Sequence, residues 1–347
     1  MKMKSLGRTG IEITDYCLGT MTWGTQTSEA DGHRQMDAAL AAGINFVDTA
    51  EMYPVNPVRA ETIGKTEEII GTWHAANPGR RGDYVLATKH SGEGLPYVRD
   101  GAPISSATIA GAVEGSLKRL QTDYIDLYQF HWPNRPGYQF RRNWTYDPSS
   151  IRADATRQEM ADCLGALARE VERGTIRAFG LSNESAWGTA QWLRLSEEGA
   201  GPRVASVQNE YSLLARLYDT DMAEMSCAED VGLVAYSPLA TGYLTGKYAN
   251  GAVPKGSRMD VGGMGGRATE RVHGAADAYV KIARDHGLDP THFALAFCAA
   301  RPFMGSVIFG ATTQAQLEHI IAGLDVTLSE EVFEQIDTAH RAHAMPF

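Results

Sequence analysis

The chain has 347 residues, is 43% hydrophobic and carries a net charge of −10 at pH 7. That balance argues against non-specific binding to DNA or RNA, which needs clustered cations to displace counterions. No run approaches the roughly 20 consecutive apolar residues of a membrane-spanning helix.

Short β-rich runs alternate with amphipathic stretches along nearly the whole sequence. Residues 1–15, with turn signals at Gly7-Arg8-Thr9-Gly10, read as a hairpin. The N-terminal Met1-Lys2-Met3-Lys4-Ser5 leads into polar sequence, so no signal peptide is expected and the expected location is cytoplasmic. Strands are predicted at 16–19, 44–48, 84–88, 124–130, 176–181, 204–208, 232–236 and 306–309. Between them lie helical spacings such as Ile109, Val113, Leu117, Leu120 and Met160, Leu164, Leu167, Val171, and a helix over 185–198. Eight β-then-α units without a linker predict a closed (β/α)8 TIM barrel formed as one domain over 1–347. An open doubly wound sheet is the rival, but it usually has fewer strands and a glycine-rich first turn.

Two stretches break the rhythm. Residues 132–150 carry proline, arginine and aromatics without periodicity, and residues 246–271 are glycine-rich and basic, with Lys247, Lys255, Arg258, Arg267 and Arg271. Both follow predicted strands and are expected over the barrel mouth, where long loops tend to be functional. The cysteines Cys17, Cys163, Cys227 and Cys298 form no C-x-x-C and read as reduced thiols. His340 and His343 lie in an Ala-rich C-terminal segment without a third ligand, so they read as a surface tail and no metal site is expected. Gly242-x-x-x-Gly246-Lys247-Tyr248 is one residue short of a P-loop, and Gly262 to Gly266 follow no strand, so neither is a dinucleotide fingerprint.

Four polar residues end three consecutive strands: Asp48 and Tyr53 after Ile44 to Val47, Lys89 after Tyr84 to Thr88, and His131 after Tyr124 to Phe130. Each alone is ordinary: a loop aromatic, a solvated lysine, a capped imidazole. Together they suit general acid catalysis. Tyrosine is a weak acid with a pKa near 10, a nearby ammonium makes its proton easier to release, and a carboxylate fixes the ammonium.

These four residues resemble the catalytic tetrad of the aldo-keto reductases. The likeness extends to Leu18-Gly19-Thr20-Met21-Thr22-Trp23-Gly24, to Ser116-Leu117-Lys118-Arg119-Leu120 with Asp123 to Tyr128, and to Gly180-Leu181-Ser182-Asn183. It continues through Gln208 to Ser212 and Ala235 to Leu239. It covers about residues 2–335 and is nearest to the bacterial NADP(H)-dependent branch that also resembles potassium-channel β subunits.

The resemblance implies NADPH-dependent reduction of an aldehyde or ketone, with Tyr53 as acid, Lys89 lowering its pKa, Asp48 holding Lys89 and His131 orienting the carbonyl. It implies that the hairpin closes the barrel's bottom. Cofactor contacts are expected at the strand-loop of Thr20 and Met21, and at Asp48. Ser182, Asn183 and Gln208 are expected on the nicotinamide carboxamide, although Ser182-Asn183 also reads as a helix cap. Tyr236 would stack on the ring, with Ser237, Leu239 and Gly242 along the pyrophosphate. Lys247 and Arg258 would meet the 2′-phosphate, and Gly310, Thr312 and Gln316 the last adenosine-phosphate segment. His319 and Ile320 stand where the family usually has a glutamate and an asparagine, which puts the adenine contacts in doubt. Trp23, Met52 and Trp132 are expected to wall an apolar substrate pocket, with core packing as the alternative for each. A cofactor-binding, redox-sensing regulatory subunit with little turnover is the rival function. The substrate is unspecified, and a homo-oligomer stays open because no strong interface motif is visible.

Overall fold

The structure is a computed structural model and describes residues 1–347. Two short strands, β1 (Met3–Ser5) and β2 (Glu12–Thr14), form an antiparallel hairpin. Eight parallel strands follow: β3 (Tyr16–Gly19), β4 (Phe46–Asp48), β5 (Val85–His90), β6 (Ile125–Phe130), β7 (Ile176–Ser182), β8 (Val204–Gln208), β9 (Gly232–Ala235) and β10 (Met304–Phe309). They close in chain order, with β10 pairing to both β9 and β3. The closed barrel is the expected one, and no edge strand of it is left unpaired.

Helices α1 (Glu29–Ala41), α2 (Lys65–Ala76), α3 (Ile109–Leu120), α4 (Ala153–Glu172), α5 (Ala186–Glu197) and α6 (Asp221–Glu229) each follow one barrel strand. The longer β9–β10 connection holds α7 (Arg258–Val261), α8 (Val272–Asp285) and α9 (Pro290–Ala299), and α10 (Gln314–Ile321) and α11 (Glu330–Ala342) complete the chain. No helix is long and apolar enough to cross a membrane.

Alternation along the strands produces two cores. Val47, Leu86, Tyr128, Phe179 and Leu233 point outward into the layer shared with the helices. Their neighbours Phe46, Val85, Ala87, Leu127, Ala178 and Val234 point into the barrel, where Leu6, Ile11 and Ile13 of the hairpin join them. The hairpin therefore plugs the N-terminal end of the barrel, and Lys4 Nζ donates to the Met304 carbonyl at 2.7 Å beside it.

Some details differ from the expectations. β5 runs on through Lys89 and His90 because both side chains are fully buried and remain in the ladder with β6. Val171, counted on the apolar face of α4, is 37% exposed in the last turn of that helix. The segment holding His340 is no loose tail: it belongs to α11, whose Val332 and Ile336 are buried. Ser185, and neither Ser182 nor Asn183, caps α5 by accepting from the Gly188 N–H.

One close approach sets the spacing of two outer helices. A Cβ at Gly71 of α2 would run into the backbone carbonyl of Arg119 in α3. Backbone atoms have little room to yield, so Gly71→Ala is expected to cost about 1–3 kcal/mol, read as a lower denaturant midpoint with an unchanged slope.

Candidate active site

The interior alternation continues upward and changes character. Phe46 is followed by Asp48 two residues on, Ala87 by Lys89, Leu127 by Gln129 and then His131, Ala178 by Ser182 after Gly180, and Val234 by Tyr236. Apolar residues fill the lower barrel, and polar ones share the same inward positions at the C-terminal mouth, the end where barrel strands place chemistry.

Lys89 Nζ donates to Asp48 Oδ2 at 2.6 Å and to the Thr49 carbonyl at 2.7 Å. Neither charged side chain is appreciably exposed, at 0% and 4%. An ammonium has three donors. The third is left for the Tyr53 side, whose ring centroid lies 4.9 Å from Nζ. Asp48 Oδ1 accepts from Gln129 at 3.1 Å and Gln208 at 2.8 Å, so its carboxylate is held by three strands besides its own. The His131 ring stands edge-on to Tyr53, with centroids 5.8 Å apart and planes at 76°. The four expected residues are thus brought together.

Burial pulls the Lys89 ammonium down, but Asp48 and Tyr53 more than offset it and leave its pKa above the ordinary lysine value. Burial also raises the Tyr53 phenol. The Lys89 charge opposes this without cancelling it, so Tyr53 stays protonated and above its ordinary value. The expected lowering by Lys89 is present but outweighed. Burial, aided by the Lys89 charge, holds His131 well below the usual histidine range, which makes its imidazole neutral. His131 Nδ1 is buried without a hydrogen-bond partner, an arrangement that natural proteins rarely leave unused.

The residues expected to meet a cofactor are distributed around the same mouth. Gln208 spends its NH2 on Asp48 and Gln129, which leaves its Oε1 to accept. Ser182 Oγ donates to the Gln208 carbonyl at 2.8 Å. Asn183, at φ 55°, donates to the His131 carbonyl and accepts from the Tyr236 hydroxyl, so both ends of its amide are engaged. Thr20 is fully buried, and its hydroxyl is spent on the Asp48 carbonyl. The Met21 carbonyl holds the Val55 N–H. Ser237, at φ 57°, accepts from Arg267, and a side chain on Gly242 would strike Lys247. Leu239 is half-buried beside them.

Lys247 and Arg258 pair with no carboxylate. The Lys247 ammonium lies 5.3 Å from the Tyr248 ring centroid, and Arg258 Nε donates to the Gly263 carbonyl. Burial and the nearby Arg267 charge lower Arg258 to about 10. Thr313 caps α10 while Gln316 accepts from the N–H and hydroxyl of Thr312, and Gly310 passes close to the Gly19 carbonyl.

Of the expected pocket walls, Met52 packs with Ala50, Val98, Leu95 and Trp132 in a small apolar cluster beside Tyr53. The Trp132 indole lies directly over Gly92 and donates to the Glu93 carbonyl. Trp23 needs correction: it is fully buried in the outer core, with Nε1 donating to Gln35 at 3.0 Å, and offers no surface to a substrate.

Three carboxylates just past strand ends were not anticipated. Glu51 pairs with Arg99, Glu184 with Arg135, and Glu210 with both Arg141 and Arg267. Burial raises the Glu51 carboxyl, yet Arg99, His90 and the Ser91 N–H hold it below the usual range. Each pair pins a loop over the mouth, including the two unpatterned stretches. Gln129 was also missed, although a polar residue on the inward side of an apolar strand was a visible signal.

Comparison with known proteins settles the family. A profile described as the Aldo/keto reductase family matches residues 16–341. This chain belongs to the aldo/keto reductases. It is 43% identical over its full length to Protein tas of Escherichia coli K12, covering 99% of that protein. It is 32% identical to the uncharacterized oxidoreductase YrpG of Bacillus subtilis 168, over 97% of this chain and 95% of the other. It is 30% identical to a probable voltage-gated potassium channel subunit beta of Oryza sativa subsp. japonica, over 97% and 96%.

In this aldo/keto reductase, truncating Lys89 would leave Asp48 as an uncompensated buried charge. Lys89→Met is therefore expected to cost about 3–5 kcal/mol, measured by denaturant unfolding. The double variant Lys89→Met/Asp48→Asn should recover part of that loss.

Proposed function

We propose that the protein acts as one catalytic domain in the cytoplasm, reducing a small aldehyde or ketone to the alcohol at the expense of NADPH. The observation that carries this reading is the buried Lys89 ammonium, with two donors fixed by Asp48 and Thr49 and the third free for Tyr53. A buried, paired ammonium beside a phenol is costly to build for stability alone.

When bound, NADPH supplies the hydride. The protein's own groups do the rest. Oxygen at the reduced carbon becomes an alkoxide, a stronger base than a phenolate, so the Tyr53 proton moves to it even though burial keeps that phenol weakly acidic. Lys89 stabilises the phenolate left behind, and Asp48 keeps the lysine charged and in place. Neutral His131 hydrogen bonds the carbonyl and orients it. Met52 and Trp132 exclude water from the apolar side.

The residues fit the cofactor's groups. Ser182 and Gln208 Oε1 suit an amide, which both donates and accepts. Asn183 joins them by exchanging its bonds to His131 and Tyr236. Lys247 and Arg258, without carboxylate partners, suit a 2′-phosphate, where the guanidinium fork is matched to the phosphate oxygens.

The potassium-channel β-subunit relatives favour a second reading, a cofactor-binding redox regulator with little turnover. NADPH oxidation followed at 340 nm with an activated aromatic aldehyde separates the two. Tyr53→Phe is expected to reduce turnover roughly 10²–10⁴-fold with NADPH binding nearly intact, and retained turnover would remove Tyr53 as the acid. If wild type and variant are both silent while NADPH still quenches tryptophan fluorescence, the regulator is the better reading. Arg258→Ala is expected to weaken NADPH binding roughly tenfold or more and hardly affect NADH. Equal losses for both would place Arg258 away from the 2′-phosphate.

A further inference from the structure

Next to the segment of Thr312 and Gln316 expected to meet the adenosine, one group of side chains has metal-ligand chemistry that hydride and proton transfer do not use. Asp289 caps α9, His292 lies in the first turn of that helix, and His319 lies in the last turn of α10. A ligand atom from each lies within 4.8 Å of the others. His319 Nε2 is 3.2 Å from Asp289 Oδ1, and His292 Nδ1 is 4.0 Å from the same oxygen.

The hydrogen bonds decide what these atoms offer. His292 Nε2 lies 2.6 Å from the His319 backbone carbonyl. A carbonyl only accepts, so Nε2 carries the proton, and in the neutral ring the lone pair falls on Nδ1. Nδ1 is then an unprotonated nitrogen 4.0 Å from Asp289 Oδ1, with no hydrogen bond between them, and is open to a cation. The Nε2–H to carbonyl bond is also the outer-shell contact that metal-ligating histidines usually make. Asp289 Oδ1 is fixed by the N–H groups of Thr291 and His292, which orients the carboxylate.

Packing sets the rings in place. The His292 ring lies so close to Gly323 that any Cβ there would collide with it. His319 stacks on it, with centroids 4.6 Å apart and planes at 27°, and its half-exposed side chain is free to adjust. Ligands at zinc distances of about 2.0–2.1 Å stand roughly 3.4 Å apart in a tetrahedron. The 3.2 Å separation fits that already, and the 4.0 Å one, between His292 Nδ1 and Asp289 Oδ1, closes when that ring and that carboxylate approach by about half an ångström.

We propose that Asp289, His292 and His319 form a three-ligand site for a borderline divalent cation of the Zn²⁺ type, completed by water. Two imidazoles and one carboxylate select such ions over Mg²⁺ and Ca²⁺, which prefer all-oxygen shells. The ion would clamp the start of α9 to α10, the helix beginning just after Thr312. Sequence reading expected no metal and weighed only His340 and His343. The two site histidines lie 27 positions apart on different helices.

The test is calorimetric titration of the full chain with ZnCl2 in chelator-free buffer, with MgCl2 as comparison. Wild type is expected to bind one equivalent of Zn²⁺, with no Mg²⁺ uptake at the same concentration. His292→Ala, His319→Ala and Asp289→Asn should each weaken Zn²⁺ roughly tenfold or more. Asp289→Asn keeps a capping residue, and circular dichroism melts without metal check that every variant is folded. Cys227→Ser, which removes the exposed thiol, should bind as wild type. Binding unaltered in the two histidine variants, binding lost in Cys227→Ser, or no binding by wild type would each overturn the site.

Discussion

The buried ion pair between Lys89 and Asp48 is the constraint around which the barrel mouth is organised. An ammonium and a carboxylate without solvent are tolerated only when their remaining hydrogen-bonding capacity is met. Here Thr49, Gln129 and Gln208 meet most of it. The partners come from the adjacent strands β4, β5 and β6 and from β8, which reaches Asp48 across the barrel interior. The unspent donor of Lys89 falls on the Tyr53 side, so the proposed acid chemistry rests on the same few atoms as the buried pair.

A second ring of charge lies above the first. Glu51, Glu184 and Glu210 each follow a barrel strand, and each holds one or more arginines from an overhanging segment. Such pairs add little net stability against an apolar alternative. Their partner requirement does restrict where the loops can sit. The mouth therefore has pinned walls, while Lys247 and Arg258 stay unpaired on the same rim. That difference between satisfied and unsatisfied cations is what supports the proposed 2′-phosphate contacts at Lys247 and Arg258.

The architecture was largely legible because burial writes a period into the sequence. The eight barrel strands appear within about two residues of their predicted bounds, since fully buried parallel strands are short apolar runs flanked by amphipathic helices. Strand order also predicted that Asp48, Lys89 and His131 lie at the C-terminal ends of three consecutive strands, and the interior alternation seen in the structure turns all three inward. The same alternation pointed at Gln129, which was passed over as part of an apolar run. Trp23 follows its strand by four residues and looked like a pocket wall, but nothing local shows that Gln35 of α1 is waiting for its indole N–H. Ser182-Asn183 read equally well as a cap, and the matter turned on Ser185 taking that role.

By itself the sequence determined the barrel, the end of it that carries chemistry and the types of group placed there, because these follow from periodicity and strand order. Only the tertiary structure decided which groups pair. Lys89 and Asp48 are 41 positions apart, and Gln208 and Asp48 are 160 apart. It also decided that burial outweighs the lysine charge at Tyr53, that three unanticipated glutamates pin the loops, and that Asp289, His292 and His319 converge. Periodicity depends on neighbours three or four residues away, whereas ion pairing and desolvation depend on distances in space that exist only once the barrel has closed.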